Sequence, residues 1–255
     1  MIAGCPVDSL ADLVAALPRP DPATGRLMAG VEAAASSEAR NDLAEGGSMA
    51  PTDRGGDAVA EIETRVRACR ICAESFAATA TGHAPRPVPW LSAEAPILIA
   101  GQAPGARVHA LGRPFDDPSG DRLRDWLGVD RAAFYDRRRF AVLPMAFCFP
   151  GYDAKGSDLP PPRICAETWR RAALAAMPGI RLTLLIGGHA QRWHLGPGAG
   201  AVTATVRAWR SWPEGMLPLP HPSWRNSGWL KRNPWFEAEL VPELRARVST
   251  ALAPG

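Results

Sequence analysis

Four short apolar runs constrain this 255-residue chain most: Ala95–Ala100, Phe140–Met145, Leu182–Ile186 and Met216–Leu219. They are rich in Ile, Leu and Val and end in turn residues. Between and after them lie stretches of helical character: Gly120–Leu127, Ile164–Ala176, Ala190–Leu195, Thr203–Trp212 and roughly Pro234–Leu252. An earlier helix is expected from near Asp57 towards Cys69, through Ala60, Ile62 and Val66. Buried strands alternating with helices predict an α/β fold, a four-stranded parallel twisted sheet with helices on both faces. Ligands of such sheets bind where the carboxyl ends of the strands open, so the segments that follow strands carry the chemistry.

Residues 1–58 read differently. They are rich in Ala, Gly, Pro, Ser and acid, with no aromatic residue. A disordered acidic tail is expected there, with a short helix around Asp8–Leu17, ahead of a folded domain at 59–252. Met49 is a second candidate start. The charge follows the same split. Residues 1–60 hold nine acidic residues against four arginines, and the remainder holds 25 basic against 17 acidic residues. A mildly basic domain suits a polyanion such as nucleic acid. No apolar run is long enough to span a membrane, and Asp8, Asp12 and Asp21 interrupt any secretion pattern, so a cytoplasmic monomer is expected.

Four of the five cysteines form a pattern: Cys69 and Cys72 in Cys-Arg-Ile-Cys, then Cys148 and Cys165. A close pair with two distant partners suits a metal or an iron–sulfur cluster, each thiolate supplying one ligand. Cys5 remains as an unpaired tail thiol. After the first strand comes Gly101-Gln102-Ala103-Pro104-Gly105, a rigid turn whose backbone N–H groups can face a ligand. It lacks the Gly-Lys-Ser/Thr of a phosphate-binding loop. After the last strand comes His221-Pro222-Ser223-Trp224-Arg225. A histidine at a strand's end can donate to an oxygen that gains negative charge. Trp224 sits in a loop between proline and arginine, where exposure is expected. Trp229, Lys231, Arg232 and Trp235 interleave rings with cations, as a nucleic-acid groove does. Trp209 and Trp235 read as core.

Together these segments resemble the uracil-DNA glycosylase superfamily, in particular its iron–sulfur branch. The resemblance rests on Gly101–Gly105, on Pro114-Phe115 through Gly120, on His221-Pro222-Ser223 and on the four cysteines, across about residues 60–248. It implies hydrolysis of the N-glycosidic bond of a damaged base flipped out of DNA. It implies that Gly101, Gln102, Ala103, Pro104 and Gly105 line the pocket and position water. By the same resemblance Phe115 stacks on the base, His221 hydrogen-bonds its oxygen, and Ser223, Trp224 and Arg225 enter the duplex. Cys69, Cys72, Cys148 and Cys165 would hold a [4Fe–4S] cluster, with zinc as the rival ligand.

Two positions depart from the branch. Gln102 and Ala103 stand where acidic residues are usual, and neither can be a general base. Gln102 with backbone groups, Asp116, Asp117 or His109 would then orient or activate water, Asp116 and Asp117 being placed next to Phe115. Pro144 stands where the branch has an asparagine that reads the uracil edge. The implied function is therefore a monofunctional DNA glycosylase for a deaminated, uracil-like base. The alternatives are a glycosylase for a base other than uracil, a non-catalytic iron–sulfur lesion-binding protein, or a free-nucleoside hydrolase.

Overall fold

The four apolar runs form β1 (Ile97–Ala100), β2 (Phe140–Val142), β3 (Leu182–Ile186) and β4 (Met216–Leu219) in the computed structural model, which describes residues 51–253. All neighbours pair in parallel, in the order β2-β1-β3-β4. The four-stranded parallel sheet expected from the sequence is therefore present. Strand β2 stops at Val142 rather than Met145. Leu143 and Met145 still donate to the carbonyls of Ile99 and Gly101 at 3.0 and 2.9 Å, but Pro144 between them has no N–H and ends the regular ladder.

The helices are α1 (Pro51–Ala68), α2 (Ala73–Ala77), α3 (Ala106–Leu111), α4 (Pro118–Leu127), α5 (Arg131–Phe134), α6 (Arg163–Ala175), α7 (Gly187–Leu195), α8 (Val202–Arg207), α9 (Ser227–Arg232) and α10 (Val241–Leu252). Helix α1 begins at Pro51, not near Asp57. The rest of the N-terminal expectation, residues 1–50, lies outside the described residues. The short helices α2, α3, α5 and α9 escape the sequence reading because they hold six residues or fewer, too few to show a period. The stretch expected as one helix to Trp212 ends at Arg207 and continues as a 3₁₀ turn, Trp209–Ser211. The last helix is preceded by a π turn, Phe236–Leu240.

Alternation along each strand divides the core into two layers. Ile97, Ile99, Phe140, Val142, Leu184 and Leu217 face Leu123, Trp126, Val206, Phe236 and Leu244 from α4, α8, the π turn and α10. Leu98 and Ala141 face the other way, onto Val59, Ile62 and Val66 of α1 and Trp169 and Ala173 of α6. Ala100 and Leu185 meet Ala190 of α7 on that same side. Both faces are thus covered, as a parallel sheet requires. Trp209 is buried as expected, and Trp235 is half-buried against the same core. Gln191, fully buried on α7, donates to the carbonyls of Leu185 and Leu219 at 3.2 and 2.9 Å and ties together the ends of β3 and β4.

Candidate active site

The turn Gly101–Gly105 leaves β1 and ends at Gly105, the N-cap residue of α3. It does not stand alone. The N–H groups of Met145 and Ala146 donate to the carbonyls of Gly101 and Gln102 at 2.9 and 3.1 Å, so the chain leaving β2 runs beside it. This pairing puts the buried Pro144 against the turn. From the other side the Phe115 ring comes within 3.9 Å of the place a side chain at Gly101 would occupy.

Phe115 is the one non-glycine described residue with a positive φ, 54°. A phenylalanine reaches the left-handed region only at a cost, and its surroundings hold it there. Tyr135 donates to the Pro114 carbonyl at 3.0 Å and Arg124 to the Phe115 carbonyl at 3.3 Å. Gly120 completes the fit: a Cβ there would lie 1.8 Å from the Phe115 carbonyl oxygen. The half-buried ring packs edge-on to Phe134 at 6.1 Å.

The two carboxylates after Phe115 have separate roles. Asp117 caps α4, accepting from the Gly120 N–H at 2.9 Å, and lines the cavity. Asp116 pairs with Arg131 at 2.7 Å and with Arg113, and these hydrogen bonds hold its carboxyl below the usual range. Asp116 does not line the cavity, so the structure does not bring this expected residue to the other site groups. The sequence could not separate two adjacent aspartates. The caps and partners that separate them come from other segments. His109 is also not among the lining residues. It packs edge-on to His83 at 5.3 Å and against Phe149, and burial, then His83 and Arg86, lower its pKa.

His221 follows β4 directly. Its Nδ1 accepts from the Ser223 N–H at 3.1 Å, and its carbonyl accepts from Asn226 at 2.8 Å. With Nδ1 an acceptor, the proton belongs on Nε2, which has no partner among the described residues. Burial lowers the imidazole pKa, opposed by the charges of Asp117 and Asp158, so the ring is neutral at physiological pH. The loop that follows is anchored from α4: Arg122 donates to the Ser223 carbonyl at 2.9 Å and to Ser227 Oγ at 3.1 Å, and its guanidinium stacks on Trp224 at 4.0 Å. Trp224 is 62% exposed, as its loop position suggests.

All these segments open on one cleft at the carboxyl ends of β1, β2 and β4. It is lined by the whole Gly101–Gly105 turn, Phe115, Asp117, Pro144, His221, Ser223, Trp224 and Arg225. The structure thus brings together every expected substrate-binding residue. It adds Tyr152 and Asp158 from the loop between β2 and α6. Nothing in the sequence distinguished Asp158 from other loop aspartates, nor Arg122 from other helical arginines.

Residues 88–245, more than half of the chain, match the family model of the uracil DNA glycosylase superfamily. The chain belongs to this superfamily. Its membership supports a hydrolytic, DNA glycosylase-like activity with DNA as the partner. Among the described residues no helix is long and apolar enough to cross a membrane.

In this uracil-DNA glycosylase superfamily member the four cysteines lie apart from the cleft. Cys69, Cys72, Cys148 and Cys165 are all free and line a second, apolar pocket with Val66, Phe76 and Trp169. Cys69 and Cys72 precede the matched residues, while Cys148 and Cys165 fall within them. Burial pushes the Cys148 thiol up to about 12 and the Cys165 thiol up to about 11, and the charges of neighbouring cysteines add to both. The Phe147 N–H donates to Cys165 Sγ at 3.4 Å. Among the described residues no three His, Cys, Asp or Glu side chains group around a single ion position.

Proposed function

We propose that this protein is a monofunctional DNA glycosylase that hydrolyses the N-glycosidic bond of a flipped-out, deaminated base. The observation that carries the reading is His221: a neutral imidazole, locked at Nδ1 by the Ser223 N–H, with Nε2 free in the cleft that holds Phe115 and the Gly101–Gly105 turn. As the C1′–N bond breaks, its electron pair moves onto the base. A donor already aimed at the base oxygen stabilises that charge and needs no reorganisation, an effect of roughly 3–4 kcal/mol for one such donor. Phe115 offers a face for the base to stack on, which offsets the few kcal/mol that flipping costs. Trp224 and Arg225 are exposed at the cleft and suit the gap left in the duplex.

Water attacks C1′ from the opposite side and must lose a proton. Asp117 is committed to capping α4, whereas the Asp158 side chain has no hydrogen-bond partner among the described residues. Asp117 and Asp158 are the two carboxylates that line the cleft and can take that proton, with Gln102 to orient the water. Neither Lys155 nor Lys231 lines the cleft, which argues against a Schiff-base lyase step. Pro144 offers no side-chain amide, and Gln102 is the one carboxamide among the lining residues. A base-reading site without the paired asparagine discriminates differently, so the preferred base need not be uracil.

The four thiols are the donor set that a [4Fe–4S] cluster would need, and holding one would make the protein a member of the iron–sulfur branch. They are unpaired, share one apolar cavity, and one already accepts an N–H, a feature that tunes cluster sulfurs. When bound, such a cluster would clamp α1 and the start of α6 to the chain after β2. Iron in the pure protein with broad absorbance near about 400 nm supports it, and colourless protein with stoichiometric zinc refutes it.

The deciding experiment is a panel of duplexes carrying uracil, hypoxanthine, xanthine or an alkylated base, incubated with the protein and then cleaved at abasic sites with alkali. Strand cutting on one lesion is expected, lowered about 10²–10³-fold in His221→Ala. Binding without cutting on every lesion would instead make the protein a lesion-recognition module.

A further inference from the structure

Two arginines are buried among the described residues, and each donates to the backbone of a residue that lines the cleft. Arg124 donates to the carbonyl of Phe115 and pairs with Asp121. Arg170 of α6, only 1% exposed, donates through Nη1 to the carbonyls of Leu143 and Pro144 at 3.0 and 3.1 Å. Its Nη2 donates to His194 Nε2 on α7 at 2.5 Å, and its guanidinium lies 4.8 Å from the Trp193 ring. None of these hydrogen-bond partners is a carboxylate. A buried guanidinium among neutral partners is costly, because dipoles replace its hydration but do not neutralise its charge.

What offsets that cost lies at Pro144. Leu143, Pro144, Met145 and Ala146 are all buried, and Pro144 interrupts the ladder of β2 because it has no N–H. Among the described residues no backbone N–H donates to the carbonyl of Leu143 or of Pro144. Buried carbonyls without a donor are destabilising, and a charged donor shared by both makes the strong form of the missing bonds. The N–H edge of the same segment faces the other way. Leu143, Met145 and Ala146 donate to the carbonyls of Ile99, Gly101 and Gln102 at 3.0, 2.9 and 3.1 Å. Pro144, Gly101 and Gln102 all line the cleft. A continuous set of hydrogen bonds therefore runs from Arg170, through the chain at Leu143–Ala146, to the turn that carries Gln102.

We infer that Arg170 is a positioning residue that sets base selectivity: it fixes the cleft wall at Leu143–Ala146, and through it the Gln102 turn. This rests on the glycosylase reading and deepens it by naming what shapes the base-reading wall. With proline at 144 that wall presents no side-chain donor or acceptor. It sorts bases by shape and by where its backbone stands, so the backbone has to be held. Displacing such a support by about 1 Å lowers a rate on the order of 10²-fold, even when the displaced group is remote from the chemistry. Arg170 does not itself line the cleft, which separates it from the groups that meet the base.

The test compares the full chain as wild type, Arg170→Met and Arg170→Lys. Lysine keeps the charge but loses the planar fork, and it serves in place of the methionine variant if that one does not fold. Amide hydrogen exchange is read first, because it needs no activity. Met145 and Ala146, whose N–H groups bond to the turn, are expected to lose protection about 10-fold in Arg170→Met, while Leu184 and Leu185 in β3 keep theirs. Single-turnover cutting of the preferred lesion is expected to fall about 10²-fold, and its lead over the next lesion to shrink about 10-fold. Duplex affinity, read by fluorescence anisotropy, should stay close to wild type. Arg170→Lys should show the same pattern at smaller size. Equal loss of protection across the whole sheet, or equal rate losses on every lesion, would mean that Arg170 only stabilises the fold, and overturns the inference. So does unchanged exchange at Met145 and Ala146. A wild type that cuts no lesion overturns the glycosylase reading instead. Local loss of protection then still shows that Arg170 holds the wall, and selectivity is read from the affinities for the same duplexes.

Discussion

A single hydrogen bond decides what His221 can do. Because the Ser223 N–H occupies Nδ1 and burial disfavours the charged ring, the imidazole acts as a neutral donor through Nε2. The glycosylase rate should therefore be level as pH rises through about 6.5, the ordinary histidine range. A rate that falls across that range, measured on a cleaved lesion under single-turnover conditions, would mean that an imidazolium is required. Phe115 and Gly120 make a second residue-scale prediction. The Gly120 backbone meets the Phe115 carbonyl so closely that a methyl group has no space. Gly120→Ala should lose about 3 kcal/mol in urea unfolding and most of the activity, since either the strained Phe115 or the start of α4 must move. The sequence showed a glycine five positions after a phenylalanine. It did not show that the phenylalanine would adopt a positive φ, because that conformation is imposed by Tyr135, Arg124 and Gly120 together.

Elements differ in how legible they were. Strands β3 and β4 stand where the apolar runs ended, because burial on both faces writes an uninterrupted apolar signal. Short helices write almost none. The Asp116/Asp117 choice also belongs to this scale: the aspartate that caps α4 faces the cleft, and its neighbour turns to Arg113 and Arg131. Arg122 shows how an element can govern a loop distant in sequence. It holds the Ser223–Ser227 segment by two hydrogen bonds and supports Trp224 from one side. Arg122→Ala should weaken binding of a lesion duplex about 10-fold, consistent with a lost stacking contact and two lost bonds, with the chemical step much less affected. Fluorescence anisotropy against single-turnover rate separates the two. Equal losses in both would place Arg122 in the chemistry instead.

The whole molecule carries several imidazoles that folding keeps neutral. Burial, then Arg170, drives His194 down to about 3, and burial also lowers His109, His189 and His221. In the unfolded chain each binds a proton near pH 6.5, and in the folded chain each does so only at lower pH. Stability should therefore be complete above about pH 6.5 and decline as pH falls below it, continuing towards about 3. Thermal melts across that window should show the slope, and His194→Gln should flatten it. A melting temperature that rises on acidification from 6.5 would contradict the assigned burial of these rings.

Much of the protein follows from local sequence alone. Apolar runs separated by helical stretches require a parallel sheet, because strands apolar on both faces must be covered on both. Turn residues after those strands require loops at the carboxyl ends, where ligands bind. The two motifs at Gly101 and His221 could be found on that basis, and with them the family. What only the tertiary structure decided is which side chains share a space and which are already occupied. Asp158 reaches the cleft from a long loop, Asp116 is withdrawn by two arginines, and Arg170 is buried against two carbonyls and His194 with no carboxylate to answer it. Such facts depend on contacts between residues far apart in the chain. Charge and burial are properties of a place, and local composition does not encode the place.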